Sequence, residues 1–148
     1  MNHIKKFENF NISYKKQTHE DRYKKYVDQV NNSKIGDILT NDVVYMYTQY
    51  LTILADKYDD LFIDGDLDER LDEYDNYILK EIDIDDLNLD EWDIYYDLID
   101  HYQELYHENK NYPPIVIDEN YSIIDGTHRA NAIKNIGYNK ILAFVGLN

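Results

Sequence analysis

Five consecutive residues, Asp125-Gly126-Thr127-His128-Arg129, set a carboxylate, a hydroxyl, an imidazole and a guanidinium side by side. Before them, Ile115 to Ile117 and Tyr121 to Ile124 are short β-rich runs around a polar three-residue turn, and a helix-forming segment begins at Asp125-Gly126. The pattern predicts a hairpin feeding a helix. His128 and Arg129 then fall in the first helical turn, where unpaired N–H groups are electropositive and cations are disfavoured. Backbone donors, a hydroxyl and a guanidinium gathered at that end suit a phosphate or carboxylate. Two plainer readings stand beside this one: Arg129 pairs with one of the many acids, and His128 is an ordinary polar surface residue. A short glycine-containing motif does not choose between them.

Asp125 carries its own alternatives. As a residue type strongly preferred at helix starts, it suits the N-cap. As the nearest carboxylate, it suits orienting Thr127, holding Mg²⁺ or acting as general base in phosphoryl transfer. His128 would donate a hydrogen bond or shuttle a proton.

In order and spacing, Pro114-Ile115-Val116-Ile117-Asp118, Ile123-Ile124-Asp125-Gly126-Thr127-His128-Arg129-Ala130, Ala132-Ile133-Lys134-Asn135-Ile136-Gly137-Tyr138 and Ile141-Leu142-Ala143-Phe144-Val145 resemble the ParB/sulfiredoxin-like superfamily. There a strand ends in Asp-Gly-x-His-Arg, and the next helix closes with Leu-Gly before a final strand. The resemblance covers about residues 77 to 148. It implies a nucleotide cofactor, ATP or another, with Mg²⁺, and Gly126, Thr127, His128 and Arg129 as the phosphate-contacting residues. Asp125 and His128 would be the catalytic pair of a phosphotransferase acting on a small hydroxylated substrate, as in the free-serine kinases. The departures are informative. Sulfiredoxin chemistry needs a cysteine where Thr127 stands, and the chain has none. Partitioning ParB proteins carry Glu-Arg-Arg here and a helix-turn-helix domain afterwards, whereas this sequence stops at Asn148.

The rest of the chain must hold that stretch in place. Its 148 residues suffice for one domain, or a small domain with a helical extension. A hydrophobic fraction of 43% and 16 tyrosines argue for a folded core despite the acidity. No apolar run is long enough to cross a bilayer and no hydrophobic leader opens the chain, so a cytoplasmic protein without a membrane partner is expected.

Charge is distributed unevenly. Residues 1 to 54 hold 8 basic and 6 acidic groups (+2), residues 55 to 101 hold 3 and 19 (−16), and residues 102 to 148 hold 4 and 5 (−1), summing to −15. The acidic block disfavours direct DNA binding and a nuclease activity. It offers an alternative function, a catalytically inactive interaction protein that imitates DNA towards a basic protein partner through residues 55–101. A solvated surface without a partner is its plain counterpart. The short Lys-Lys-Phe-Glu opening looks like the leaders of small bacteriophage proteins, which implies a phage-encoded chain.

Residues 1 to 76 read as an N-terminal arm and helical extension. The arm covers residues 1 to 16, with Phe7 and Phe10 docked on the body. Thr18 with Asp21 suggests a capping box opening a helix over 19–31, and a second helix runs from Asn41 to Tyr58. Asp64-Gly65-Asp66-Leu67-Asp68 invites a calcium-loop reading, but Glu69 stands where the loop needs glycine and Asp75 where it needs glutamate. A turn into a short helix with Leu67, Leu71 and Tyr74 facing inward fits better.

Residues 77–148 then read β-α-β-β-α-β. Ile78, Ile82 and Ile84 mark the first strand, and Asn88 with Glu91 would cap a helix to His107 with Trp92, Tyr95, Tyr96, Ile99, Tyr102 and Tyr106 on its core face. Gly137 ends the last helix, and Ile141 to Val145 close the sheet. The expected class is α+β, a ParB/sulfiredoxin-like core on the resemblance, while the element order alone also fits a ferredoxin-like fold.

Overall fold

A computed structural model describes residues 13–54, 67–89, 94–108 and 112–148. They fall into two compact units, Met1–Ser33 with Asp42–Ile63 and Lys34–Asn41 with Asp64–Asn148. The arm with Phe7 and Phe10, the acidic loop at Asp64-Gly65-Asp66, Tyr58 and Trp92 lie outside the described residues.

The first unit pairs two helices, α1 (Ser13–Asn31) and α2 (Asn41–Leu54). Tyr23, Val27 and Val30 recur at three- to four-residue spacing and are buried, as are Val43, Val44, Tyr47 and Tyr50 of α2. The Tyr23 hydroxyl donates to Gln49 Oε1 at 3.1 Å and its ring lies 6.1 Å from that of Tyr50. Because α1 already begins at Ser13, Thr18 is interior to it and opens no capping box.

The second unit is built on a five-stranded sheet of order β1-β2-β5-β3-β4. Its strands are β1 (Ile38–Thr40), β2 (Asn76–Asp83), β3 (Ile115–Ile117), β4 (Ile123–Asp125) and β5 (Lys140–Leu147). The helices are α3 (Leu67–Leu71), α4 (Tyr96–Glu108) and α5 (Thr127–Ile136), with a 3₁₀ turn at Ile84–Asp86. β1 comes from the stretch read as extension and lies against β2, Ile38 opposite Ile78 and Thr40 opposite Asn76. Gly36, at φ 100°, turns the chain so that its N–H reaches the Leu79 carbonyl at 2.8 Å.

β5 is the centre of the sheet, antiparallel to β2 along its whole length and parallel to β3. β2 and β3 therefore run in opposite directions with β5 between them. A split βαβ unit would make them parallel, so the ferredoxin-like alternative does not hold. The fold is α+β with a mixed sheet.

Alternation along the strands makes two buried faces. Ile82, Ile141, Ala143, Val145, Ile115 and Ile117 share one core cluster with Ile99 and Tyr106 of α4 and Ala130, Ala132 and Ile133 of α5. Tyr77, Leu79, Val116, Ile124 and Phe144 are buried on the alternate positions. Leu71 and Tyr74 are buried, as expected for α3 and the turn after it. The helix expected from Leu89 instead begins at Tyr96; Tyr95 is 38% and Tyr96 75% exposed, so neither belongs to the core face, which uses Leu98 and Ile99. An acid, Asp97, lies in that first turn, where the dipole favours it.

Candidate functional site

β3 and β4 form a hairpin whose turn is fixed by Asp118. Its Oδ1 accepts from the Asn120 N–H at 2.8 Å and the Ser122 N–H at 2.9 Å. Tyr121 takes up the left-handed conformation there, at φ 65°, so β4 begins at Ile123 rather than at Tyr121. On the other side of β4, Arg70 of α3 donates to the Ile123 carbonyl at 2.7 Å. That contact satisfies a main-chain acceptor on the terminal strand of the sheet.

β4 ends at Asp125, opposite Val116, and α5 starts two residues later. The strand-to-helix change is made by Gly126 at φ 110° and ψ 21°, and Gly126, not Asp125, is the N-cap. The reason is steric. A Cβ at Gly126 would stand 2.6 Å from Ile115 Cγ2 and 2.8 Å from Arg129 Nη2, and the left-handed angle is costly for any residue with a side chain. The sharp turn has to be glycine, which shifts the cap one residue beyond Asp125.

Asp125 has a different employment. Its Oδ2 lies 3.0 Å from Arg129 Nη2, an ion pair across the junction at i,i+4 spacing. Arg129 is only 4% exposed, while the Asp125 side chain is 27% exposed. The plainer expectation for Arg129, pairing with an acid, is therefore met. Its guanidinium nevertheless stays at the start of α5, against the Gly126 Cα, rather than turning away from it.

Thr127 and His128, the first two residues of α5, are half-buried. The Thr127 carbonyl accepts from Asn131 Nδ2 at 2.8 Å, and the first main-chain bond of the helix runs from Ala130 N–H to the Gly126 carbonyl at 2.8 Å. Gly126, the N-cap, has no side chain of its own to bond the first turn. His128 Nε2 accepts the Tyr95 N–H at 3.1 Å, so in this arrangement the imidazole is neutral with its proton on Nδ1. The Tyr95 ring lies alongside at 5.8 Å, tilted by 32°.

Tyr95 is the residue missed by the sequence reasoning, which placed it on a helix face in the core. Its carbonyl accepts from the Leu98 and Ile99 N–H groups, at 3.1 and 3.2 Å, so it caps α4 just as Gly126 caps α5. The electropositive first turns of two helices thus meet at His128. The signal available in the sequence was Asp97, an acid suited to the first turn of a helix that starts at Tyr96.

The structure brings Asp125, Gly126, Thr127, His128 and Arg129 into one junction and adds Tyr95 and Ile115 to it. Among the described residues no cluster of three or more His, Cys, Asp or Glu is arranged to hold a metal ion. The exposed acids Asp72, Glu73, Asp75, Glu81, Asp83, Asp85, Asp86, Asp97 and Asp100 belong to the acidic block. No helix among the described residues is long and apolar enough to cross a membrane.

No family model matches the chain, and no curated protein matches it. Among solved structures, that of a Pnob8-like ParB-N domain is similar to 47% of this chain at 22% sequence identity, with a TM-score of 0.37, and the match spans 28% of the other chain's length.

Proposed function

We propose that the start of α5 binds the phosphate groups of a nucleotide. The observation that carries this reading is the bond from Tyr95 N–H to His128 Nε2, because it joins the positive ends of α4 and α5 at one place. Aligned peptide dipoles favour an anion at each end separately, and two ends together favour it more. Gly126 offers no side-chain oxygen to the first turn of α5, so a phosphate has main-chain donors to engage there. Thr127 adds its hydroxyl, and Arg129 supplies the charge.

The finer version is an ATP- or ADP-dependent phosphotransferase on a small hydroxylated substrate. In it, Asp125 takes the proton of the attacking hydroxyl or holds Mg²⁺, and His128 and Arg129 stabilise the charge on the transferring group. Calorimetric titration of ATP, ADP and CTP into the full chain tests the binding step. Wild type is expected to bind at least one of them below millimolar concentration. Arg129→Lys keeps the charge but loses the planar fork, and should weaken binding by about tenfold or more. Absence of heat from the wild type at millimolar nucleotide refutes the proposal.

A further inference from the structure

We infer that His128 is an acid-released latch: its neutral imidazole fastens the start of α4 to the start of α5, and protonation opens the attachment. His128 Nε2 accepts the Tyr95 N–H at 3.1 Å, and a ring nitrogen accepts only while its lone pair is unprotonated. The Tyr95 ring lies 5.8 Å from the imidazole, so main chain and side chain of one residue both meet it. The latch belongs to the fold and works with or without a bound phosphate.

Protonation does more than remove an acceptor. It sets an N–H on Nε2 against the Tyr95 N–H, donor against donor, and adds positive charge where the positive ends of α4 and α5 meet. Tyr95 must then turn or move, and the first turn of α4 depends on it. Its carbonyl accepts from the Leu98 and Ile99 N–H groups at 3.1 and 3.2 Å, and both of those residues are buried. The side chains of Tyr95 and Tyr96 are exposed and do little to hold that turn by packing. Release at His128 therefore loosens the start of α4.

Histidine is the side chain suited to this, because it changes charge between about pH 5 and 8. Of the elements around it, β3 carries no titratable side chain. Asp125, at the end of β4, is paired with Arg129 of α5. In the first turns of α4, Asp97 and Asp100 are exposed, where water and salt screen them, and His101 is half-buried. Asp90, Glu91 and Asp93 lie outside the described residues. His101 and His107, further along α4, titrate in the range of His128 and have to be separated from it by substitution.

NMR of the isotope-labelled full chain between about pH 5 and 8 tests the latch. At the upper end, the His128 ring should show Nε2 as its unprotonated nitrogen. As pH falls, the Tyr95 amide should shift with the midpoint of the His128 ring. Amide protection at Leu98 and Ile99, corrected for the intrinsic pH dependence of exchange, should drop roughly three- to tenfold. A protonated Nε2 at the upper end, or a Tyr95 amide that ignores the His128 titration, overturns the inference. In His128→Gln, Oε1 stands in for Nε2 as an acceptor that does not titrate. The Tyr95 amide and the protection should then stay level while His101 and His107 still titrate, and a Tyr95 response that survives in this variant overturns the inference too. If His128→Gln does not fold, the double variant His101→Gln, His107→Gln decides: the Tyr95 response should persist with its midpoint unmoved, and its loss assigns the effect to α4 and removes the latch.

Discussion

Two glycines in the sheet-bearing unit leave no room for a methyl group, and they do so for opposite purposes. At Gly126 a Cβ would stand 2.6 Å from Ile115 and 2.8 Å from a buried guanidinium, at a backbone angle that side chains disfavour. At Gly146 it would stand 2.6 Å from the Tyr74 ring, at no such angle. The first glycine bends the chain so that a charged pair spans a strand and a helix. The second, paired with Tyr77 across β2 and β5, lets a neutral ring lie flat on the sheet. Tyr74 uses that position to reach the β3–β4 turn, where its hydroxyl accepts the Glu119 N–H at 3.2 Å, and it meets Tyr77 edge-on at 5.7 Å. One junction is ionic, with its carboxylate partly exposed; the other is packed against a tyrosine ring.

The sharpest way to break this contrast is Gly126→Ala. The left-handed angle costs a residue with a side chain roughly 1–2 kcal/mol, and forcing a methyl against Ile115 and Arg129 adds about 1–3 kcal/mol. Chemical denaturation should show a loss of roughly 2–5 kcal/mol, and what survives folded should bind nucleotide more weakly because the guanidinium is displaced. A stability within about 0.5 kcal/mol of wild type would mean that the junction relaxes freely.

Gly146→Ala probes the packed junction by itself. With no unfavourable backbone angle, only the overpacking against Tyr74 applies, about 1–3 kcal/mol by denaturation. Nucleotide affinity of the folded fraction should be unchanged, since the hydroxyl of Tyr74 engages the hairpin turn at Glu119. Equal loss of affinity in both alanine variants would show that the two junctions act as one.

The sequence carried some of this and withheld the rest for definite reasons. The hairpin, the glycine-led start of α5, its end at Gly137 and the central strand β5 were legible because they depend on neighbouring residues, through turn chemistry and runs of β-branched residues. β1 was not. Its three residues acquire strand identity from Asn76, Tyr77 and Ile78 on β2, some forty positions later, with no alternation of their own to announce it. The start of α4 was misplaced because Trp92 and Tyr95 extend the apolar spacing of the sequence back towards Leu89, whereas Tyr95 is held by His128 ahead of the helix. Both meanings of Arg129 were visible, pairing with an acid and facing an anion. Which acid it meets depends on Gly126 turning the chain back, at a point where Ile115 and Arg129 leave no space for a Cβ.

The smallest expected effect concerns the packed junction at high pH. The Tyr77 hydroxyl donates to the Leu71 carbonyl at 2.6 Å, an acceptor shared with Asn41 Nδ2 at 2.7 Å. Burial, first of all, and then the neighbouring Tyr74, Asp72 and Glu73 hold the Tyr77 ionisation well above its ordinary value. A raised value means that the folded chain keeps this proton after the unfolded chain has begun to lose it. Tyr77 therefore contributes stability in full below about pH 10, the unfolded value, and that contribution declines as pH rises towards the folded one. Tyr77→Phe removes a buried hydrogen bond, costing about 1 kcal/mol near neutrality, and should also flatten the alkaline decline. Tyr112, raised likewise by burial before any other cause, leaves a residual slope in the variant. Denaturation midpoints of both proteins between about pH 7 and 11 decide the matter: curves that stay parallel would show that the Tyr77 proton is not held by the fold, and that the neutral junction is less closed than its packing implies.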